Sequence, residues 1–365
     1  LLPQGDRAYR YKIEASLDDV TYSTMVDQTS NTTGGSVLTA NFNTTNARYL
    51  KLTTMDLYVA SGSKTTWTSL YEFRVFHYDA SAPVPTPTPP PLPTLAPTKN
   101  IYVTPAGAGS KDGSDWTNAM QGDKDGGLTT AWNAASNGGT VFVGSGNYTT
   151  KQTLSILSSQ QGHSVDNPKK LAGINTGGGL PHFTGDWTLA NQTSTKFIDV
   201  AAGASYWWIQ DIIVSNYSVA VNTNGKNMGF RIYNVDANDM SDGIYLRGGG
   251  TAADPDGGSK DFIIKDCDLK NFTKRGIRFR DGNSNAQVIN CTADAGGEAF
   301  YDSSNFQMCY QIGDSGQNSA VFEHSITFVG CVAKNTYVPN GTEYWNGGDG
   351  FCGERQAYDI VYIRC

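Results

Sequence analysis

The second half of the chain repeats one short pattern: apolar and polar residues in alternation, then a polar or turn-forming residue, then a small apolar one. The copies are WWIQDI (207–212), FRIYNV (230–235), FIIKDC (262–267), AQVINC (286–291), ITFVGC (326–331) and IVYIRC (360–365). Their closing positions are 212, 235, 267, 291, 331 and 365, so the steps are 23, 32, 24, 40 and 34 residues. A β-pattern recurring at about 20–50 residues marks a solenoid, in which each repeat buries its apolar face only by stacking on its neighbours. Unequal steps then mean loops of different length set on a constant core.

The closing residues Val235, Cys267, Cys291, Cys331 and Cys365 fall at one place in successive coils and predict an internal ladder of small apolar side chains. Asp211, Asn234, Asp266 and Asn290 precede members of this series and predict a polar ladder where the chain bends between two sheets. A second strand follows in each coil: GIYLR (243–247), GIRFR (276–280), QMCYQ (307–311) and GFCGE (350–354). Alternation puts Ile244, Ile277, Met308 and Phe351 inward and Tyr245, Arg278, Cys309 and Cys352 outward. An all-β sandwich does not account for the recurring pair of Asn/Asp and Cys, so the pattern specifies a parallel β-helix.

Composition narrows the class. Charged residues are 17%, Gly is 41 of 365 residues, and the net charge is −7. That is a turn-rich, polar-surfaced β chain, with no apolar run near the roughly 18 residues of a membrane span. Its acidity disfavours nucleic acid and anionic membranes as partners. An anionic ligand therefore needs a local basic patch. All six Cys lie in 267–365, without metal-type Cys-x-x-Cys spacing, and the ladder members are expected as buried free thiols. Cys309 and Cys352, if outward on adjacent coils, would be the pair able to bridge. Asn-x-Ser/Thr sites at Asn31, Asn43, Asn147, Asn191, Asn216, Asn271, Asn290 and Asn340 are compatible with an extracellular protein.

Residues 1–78 carry strand patterns in YRYKIEAS, ARYLKLTTM and LYEFRVFHY. With YKIEASLDDVTYSTMVDQT and TSLYEFRVF, they resemble the closing half of a discoidin-like (F5/8 type C) carbohydrate-binding β-sandwich, in which Tyr58 and Trp67 would be platform or packing aromatics. Residues 79–99, DASAPVPTPTPPPLPTLAPTK, read as an extended Pro/Thr linker. Residues 100–365 form the second domain. Its opening, NIYVTPAGAGSKDGSDWTNAM to GGTVFVGSGNYTT, with a short helix near 128–135, resembles the cap of right-handed parallel β-helices of the pectate-lyase-like superfamily. Residues 167–187 read as the first full coil.

The densest local charge is FTKRGIRFRDGN (272–283), where Lys274, Arg275, Arg278 and Arg280 fall within seven residues of an acidic chain. Arg278 and Arg280 face outward beside Tyr245 and Arg247 of the preceding coil and Gln311 of the next. Such a stripe suits a uronic-acid polymer, because Arg binds carboxylates through two parallel hydrogen bonds. The alternative is a solvated face paired with Asp242, Asp281 or Glu354.

The resemblance to alginate- and pectate-type lyases implies β-elimination on an acidic polysaccharide. It casts Lys274 as base, Arg278 as the group that neutralises the carboxylate, and Tyr245 as acid, with Tyr233 and Tyr310 as substitutes. Arg247, Arg275, Arg280, Gln311 and Glu354 would bind substrate. No cofactor is required. Calcium, which some members add, would draw on Asp239, Asp242, Asp254 and Asp256, although no regular calcium-loop spacing is present. A monomer is expected. Two other classes stay open: a β-helix hydrolase using two of Asp242, Asp281, Asp349 and Glu354, and a non-catalytic adhesin. His163, His182 and His324 are scattered and read as structural.

Overall fold

The computed structural model describes residues 2–3, 8–18, 20–31, 47–58, 64–65, 70–72, 98–192, 194–255, 257–302, 307–313, 320–337, 348–353 and 357–365. The chain divides into two compact units, Leu1–Pro91 and Leu92–Cys365, the division falling within the Pro/Thr-rich stretch. In the first unit, Ala8–Ser16 pairs antiparallel with Ser23–Asp27 on one side and Tyr49–Tyr58 on the other. Alternate residues Tyr11, Ile13 and Ala15 are buried with Val26, as expected of a strand with one wet face. Trp67 lies outside the described residues, as does the stretch 73–78.

The second unit is a parallel β-helix, and among the described residues its 20 strands form one continuous hydrogen-bonded array. Each coil contributes to three faces. One inward row of the third face runs Leu154, Ile198, Val221, Ile244, Ile277, Tyr310 and Phe351. These residues mark coils one to seven below. In coils four and five, single long strands, Arg231–Arg247 and Asp268–Arg280, carry more than one face without an intervening loop.

The ladder of small residues is present. Register places Val235, Cys267, Cys291, Cys331 and Cys365 one above another, and all but Cys365 are buried. The thiols stay unbridged and touch one another, and contact with neighbouring thiols together with desolvation pushes Cys291 and Cys331 well above the usual thiol range. Aromatic rings stack in the same manner: Trp207, Phe230 and Phe262 lie face to face at 4.5 Å per step. Such contacts contribute about 0.5–1.5 kcal/mol each beyond area burial.

The polar ladder has a backbone cause. Asp211, Asn234, Asp266 and Asn290 all have φ between 47° and 59°, the left-handed region that Asn and Asp tolerate best among residues with a Cβ. Their side chains then bond along the stack, Asn234 Nδ2 to Asp211 Oδ1 at 2.8 Å and Asn290 Nδ2 to Asp266 Oδ1 at 3.2 Å. Asn216, Asp239 and Asn271 repeat this device at the next corner.

The first end of the solenoid is closed by the helix Gly127–Ala134, slightly earlier than the sequence placed it. Lys169 is buried beneath it and donates from Nζ to the Ala135 carbonyl at the helix C-terminus, 5.1 Å from the centre of the Trp132 ring. The helix dipole and ring face both favour a cation there. Burial nonetheless pulls the ammonium down to about 8.

Two expectations need correction. The first coil is already complete in Thr140–Gly144, Gly146–Tyr148 and Leu154–Ile156, before residues 167–187. In the sixth coil the inward residue aligned with Ile277 is Tyr310, two positions beyond the buried Met308, while Gln311 stands beside Arg278 as expected. Cys309 is buried, its thiol against the carbonyls of Ala293 and Lys334, so it is no partner for Cys352.

Candidate functional site

The outward rows of the third face gather the basic segment. Tyr245 stands beside Arg278, and Arg278 beside Gln311; Arg247 stands beside Arg280. The Arg278 guanidinium lies 4.7 Å from the centre of the Tyr245 ring, a cation–π contact that fixes both side chains at the surface. Arg247 and Arg280 share Asp281, at 3.4 and 3.5 Å, and form a second, partly neutralised cluster downstream along the strand.

Lys274 owes its position to an irregularity. Met240 pairs with Phe272, but Asp242 pairs with Arg275, so the fifth coil carries one more residue than the fourth at this corner. A bulge of this kind bends its strand and re-aims the side chains on it. Arg275, the next residue, is buried at 8% exposure; its Nε donates to Gln311 Oε1 at 2.5 Å and its Nη1 to the Lys274 carbonyl at 3.2 Å. Arg275 therefore fixes Gln311 and the backbone under Lys274.

Asp242 is the centre of the cluster. It is 6% exposed, and the charges of Arg278, Arg275 and Lys274 all bear on it. Burial raises its pKa above the usual carboxylate value, and the three cations oppose that shift. Its Oδ2 accepts from Ser241 Oγ at 3.3 Å, whereas Oδ1 accepts no hydrogen bond from the described residues. Sequence reasoning named Asp242 only as a counter-ion, a calcium ligand or one of a hydrolytic pair. Its alignment with Arg275 in the next coil becomes visible only once the coils are stacked.

Other candidates separate. Tyr310 is buried, and its hydroxyl donates to the carbonyls of Cys291 and Val332, so it cannot serve as the acid. Tyr233 is on a different face, against Trp208. Asp239 accepts from Asn271 at a corner, and Asp254 sits in a turn with Thr251; no three acidic, His or Cys side chains converge as metal ligands among the described residues. Glu354 and Asp256 lie outside the described residues. Asp349 occupies the same row as Asp242 but three coils on, about 14 Å at the usual strand spacing. That exceeds the roughly 6.5–9.5 Å between the carboxyls of an inverting hydrolase.

No family model and no curated protein matches the sequence. Among solved structures, the chain is similar to the pectate lyase Pel9A at 13% identity and a TM-score of 0.36, covering 71% of this chain and 77% of that one. It is similar to a GH136 lacto-N-biosidase from Eubacterium ramulus at 12% identity and a TM-score of 0.37, covering 73% and 68%. A PL6 family alginate lyase follows at 10% identity and a TM-score of 0.32, covering 74% and 41%.

Proposed function

We propose that the β-helix unit is a polysaccharide lyase that cleaves a uronic-acid-containing polymer, of alginate or pectate type, by β-elimination. The observation that carries this reading is the convergence of Lys274, Arg275 and Arg278 around Asp242, beside the half-buried Tyr245. Arg278 would pair with the substrate carboxylate, withdrawing charge from the adjacent ring carbon and stabilising the enolate-like intermediate. Lys274, set on the bulge, would take the proton from that carbon. The electron pair forms the ring C=C bond as the glycosidic C–O bond breaks, and Tyr245 would donate the proton to the departing oxygen. Gln311, held by Arg275, and the Arg247–Arg280 pair would extend the site to neighbouring sugars.

For hydrolysis, Asp349 stands too far along the stack from Asp242, and Asp281 is engaged with Arg247 and Arg280. The elimination reading agrees with secretion, and with the first unit acting as a discoidin-like carbohydrate-binding module. Incubation with alginate, pectate and glycosaminoglycans tests it. Reducing ends that appear with ultraviolet absorbance from a new C=C bond support elimination. Reducing ends without absorbance would establish a hydrolase, and binding without either product an adhesin.

A further inference from the structure

The outward rows of the third face continue past Tyr245 toward the helix-capped end of the solenoid, and their chemistry changes there. One row runs Asp199, Asn222, Tyr245, Arg278 and Gln311, and the next runs Asn224, Arg247 and Arg280. Coils four and five bring Arg247, Arg278 and Arg280 to this face. Coils two and three bring Asp199, Asn222 and Asn224, with Lys196 bound to Asp199 at 3.1 Å.

Three donors converge on one oxygen. Asp199 Oδ1 accepts from Lys196 Nζ, from Asn222 Nδ2 at 2.7 Å and from Asn224 Nδ2 at 2.8 Å. Asn224 Nδ2 also donates to the Val200 carbonyl at 3.1 Å. These bonds fix which way each amide is turned, because only its nitrogen can donate. What remains is a set of acceptors: Asp199 Oδ2, Asn222 Oδ1 and Asn224 Oδ1 take no hydrogen bond from the described residues. Asn222 is packed in place at 2% exposure, whereas the Asp199 side chain keeps 36% of its surface. A sugar hydroxyl can donate to such acceptors. A carboxylate would find no donor among them and would add a like charge beside Asp199.

We infer that Asp199, Asn222 and Asn224 form a subsite for an uncharged sugar unit, and that the substrate is a polyuronate in which such units, neutral or esterified, adjoin the uronate that is cut. The direction of the polymer rests on the elimination reading above. One coil, about 4.8 Å, is close to the length of one sugar unit, so a polymer laid along the stack advances roughly one unit per coil. With the uronate carboxylate on Arg278 and the departing oxygen at Tyr245, the unit beyond Tyr245 is the one that leaves with that oxygen. It lies over Asn222, with Asp199 one coil further, and becomes the new reducing end.

Pectate without ester and the same pectate partly methyl-esterified test this, because they differ in charge and not in sugar. Calorimetry on the whole chain gives the ratio of their affinities for the wild type, Asp199→Lys and Asp112→Lys, with circular dichroism to check folding. Asp112→Lys makes the same charge change in the loop beside the first face, where Gly113 O accepts from Tyr102 N. We expect the wild type to favour the esterified polymer, and Asp199→Lys to shift the ratio roughly fivefold toward the unesterified one, the scale of an exposed charge contact. Asp112→Lys should leave the ratio unchanged. A wild type without the preference, no binding of either polymer, or the same ratio in wild type and Asp199→Lys would overturn the subsite. An equal shift in both variants would do so too, by making the effect one of net charge. Mass spectra of the products then separate the two readings. Unsaturated products with an esterified reducing end support both, and a free uronate at that end overturns the subsite alone. The affinity shift without any unsaturated product leaves the subsite standing and removes elimination.

Discussion

Asp242 sets the electrostatics of the site at the scale of single residues. A carboxyl this buried is tolerated because three cations face it, and those cations are held together because it is there. Lys274 and Arg278 answer different questions. Lys274→Ala and Lys274→Arg both remove the proton acceptor, and each is expected to lower kcat by about 10²–10⁴-fold. Lys274→Arg keeps the charge, so polyuronate binding measured by calorimetry should survive in that variant. Turnover retained in Lys274→Arg and lost only in Lys274→Ala would make Lys274 a charge rather than a base. Arg278→Lys keeps a cation but loses the planar fork and its stacking on Tyr245, and should raise KM more than it lowers kcat. Neither role could be weighed before the coils were stacked. The sequence displays four cations in a row, but Arg275 turns out to be a buried brace for Gln311, and Arg280 is engaged with Asp281.

Among elements, the corners decide the register. The Asn and Asp residues at positions 211, 234, 266 and 290 were legible because a left-handed corner beside an alternating strand leaves few other choices. A further series, Asp261, Asn285, Ser325 and Asp359, does the same within the first face and escaped notice, because each sits in a stretch already polar. The offset in the sixth coil has a related cause. A loop from Ala295 hides where the strand Met308–Ile312 begins, and a buried Tyr310 reads as a surface residue until its hydroxyl is seen to reach two carbonyls. The bulge at Lys274 was also invisible, since one extra residue leaves no mark on composition.

The corner device makes a specific prediction. Asn290 has φ 51° and bonds Asp266. Asn290→Val puts a β-branched side chain in the left-handed region and breaks that bond, and should destabilise by about 1–3 kcal/mol. Asn290→Gly relieves the backbone and should cost less than half as much. Urea unfolding midpoints separate the two, and equal losses would show that the side-chain bond, not φ, matters.

Across the whole molecule, stability should carry the signature of one buried acid. Glu323 is fully buried at the start of the seventh coil and accepts hydrogen bonds from the backbone N–H groups of Gly282 and Asn283 at 2.8 and 2.6 Å. Desolvation pushes it up to about 7 despite those bonds, and nearby Asp281 adds to the rise. Below the ordinary value of 4.5 both folded and unfolded chains hold the proton, and Glu323 imposes no pH dependence. Between 4.5 and about 7 the unfolded chain releases it while the native chain keeps it, so stability falls as pH rises through this window and levels off above it. The span corresponds to roughly 3 kcal/mol at about 1.4 kcal/mol per unit. Several surface aspartates, among them Asp112, Asp115 and Asp186, are held low by hydrogen bonds and act in the opposite sense at acid pH. The total curve is therefore less informative than a difference. Glu323→Gln has no proton to release but presents an N–H to one of two donors, so it should be the less stable protein near pH 4.5. Its deficit should shrink by roughly 3 kcal/mol by pH 8 as the wild type takes on the cost of a buried charge. Parallel stability curves for the two proteins would show that Glu323 ionises as easily in the folded coil as in the open chain.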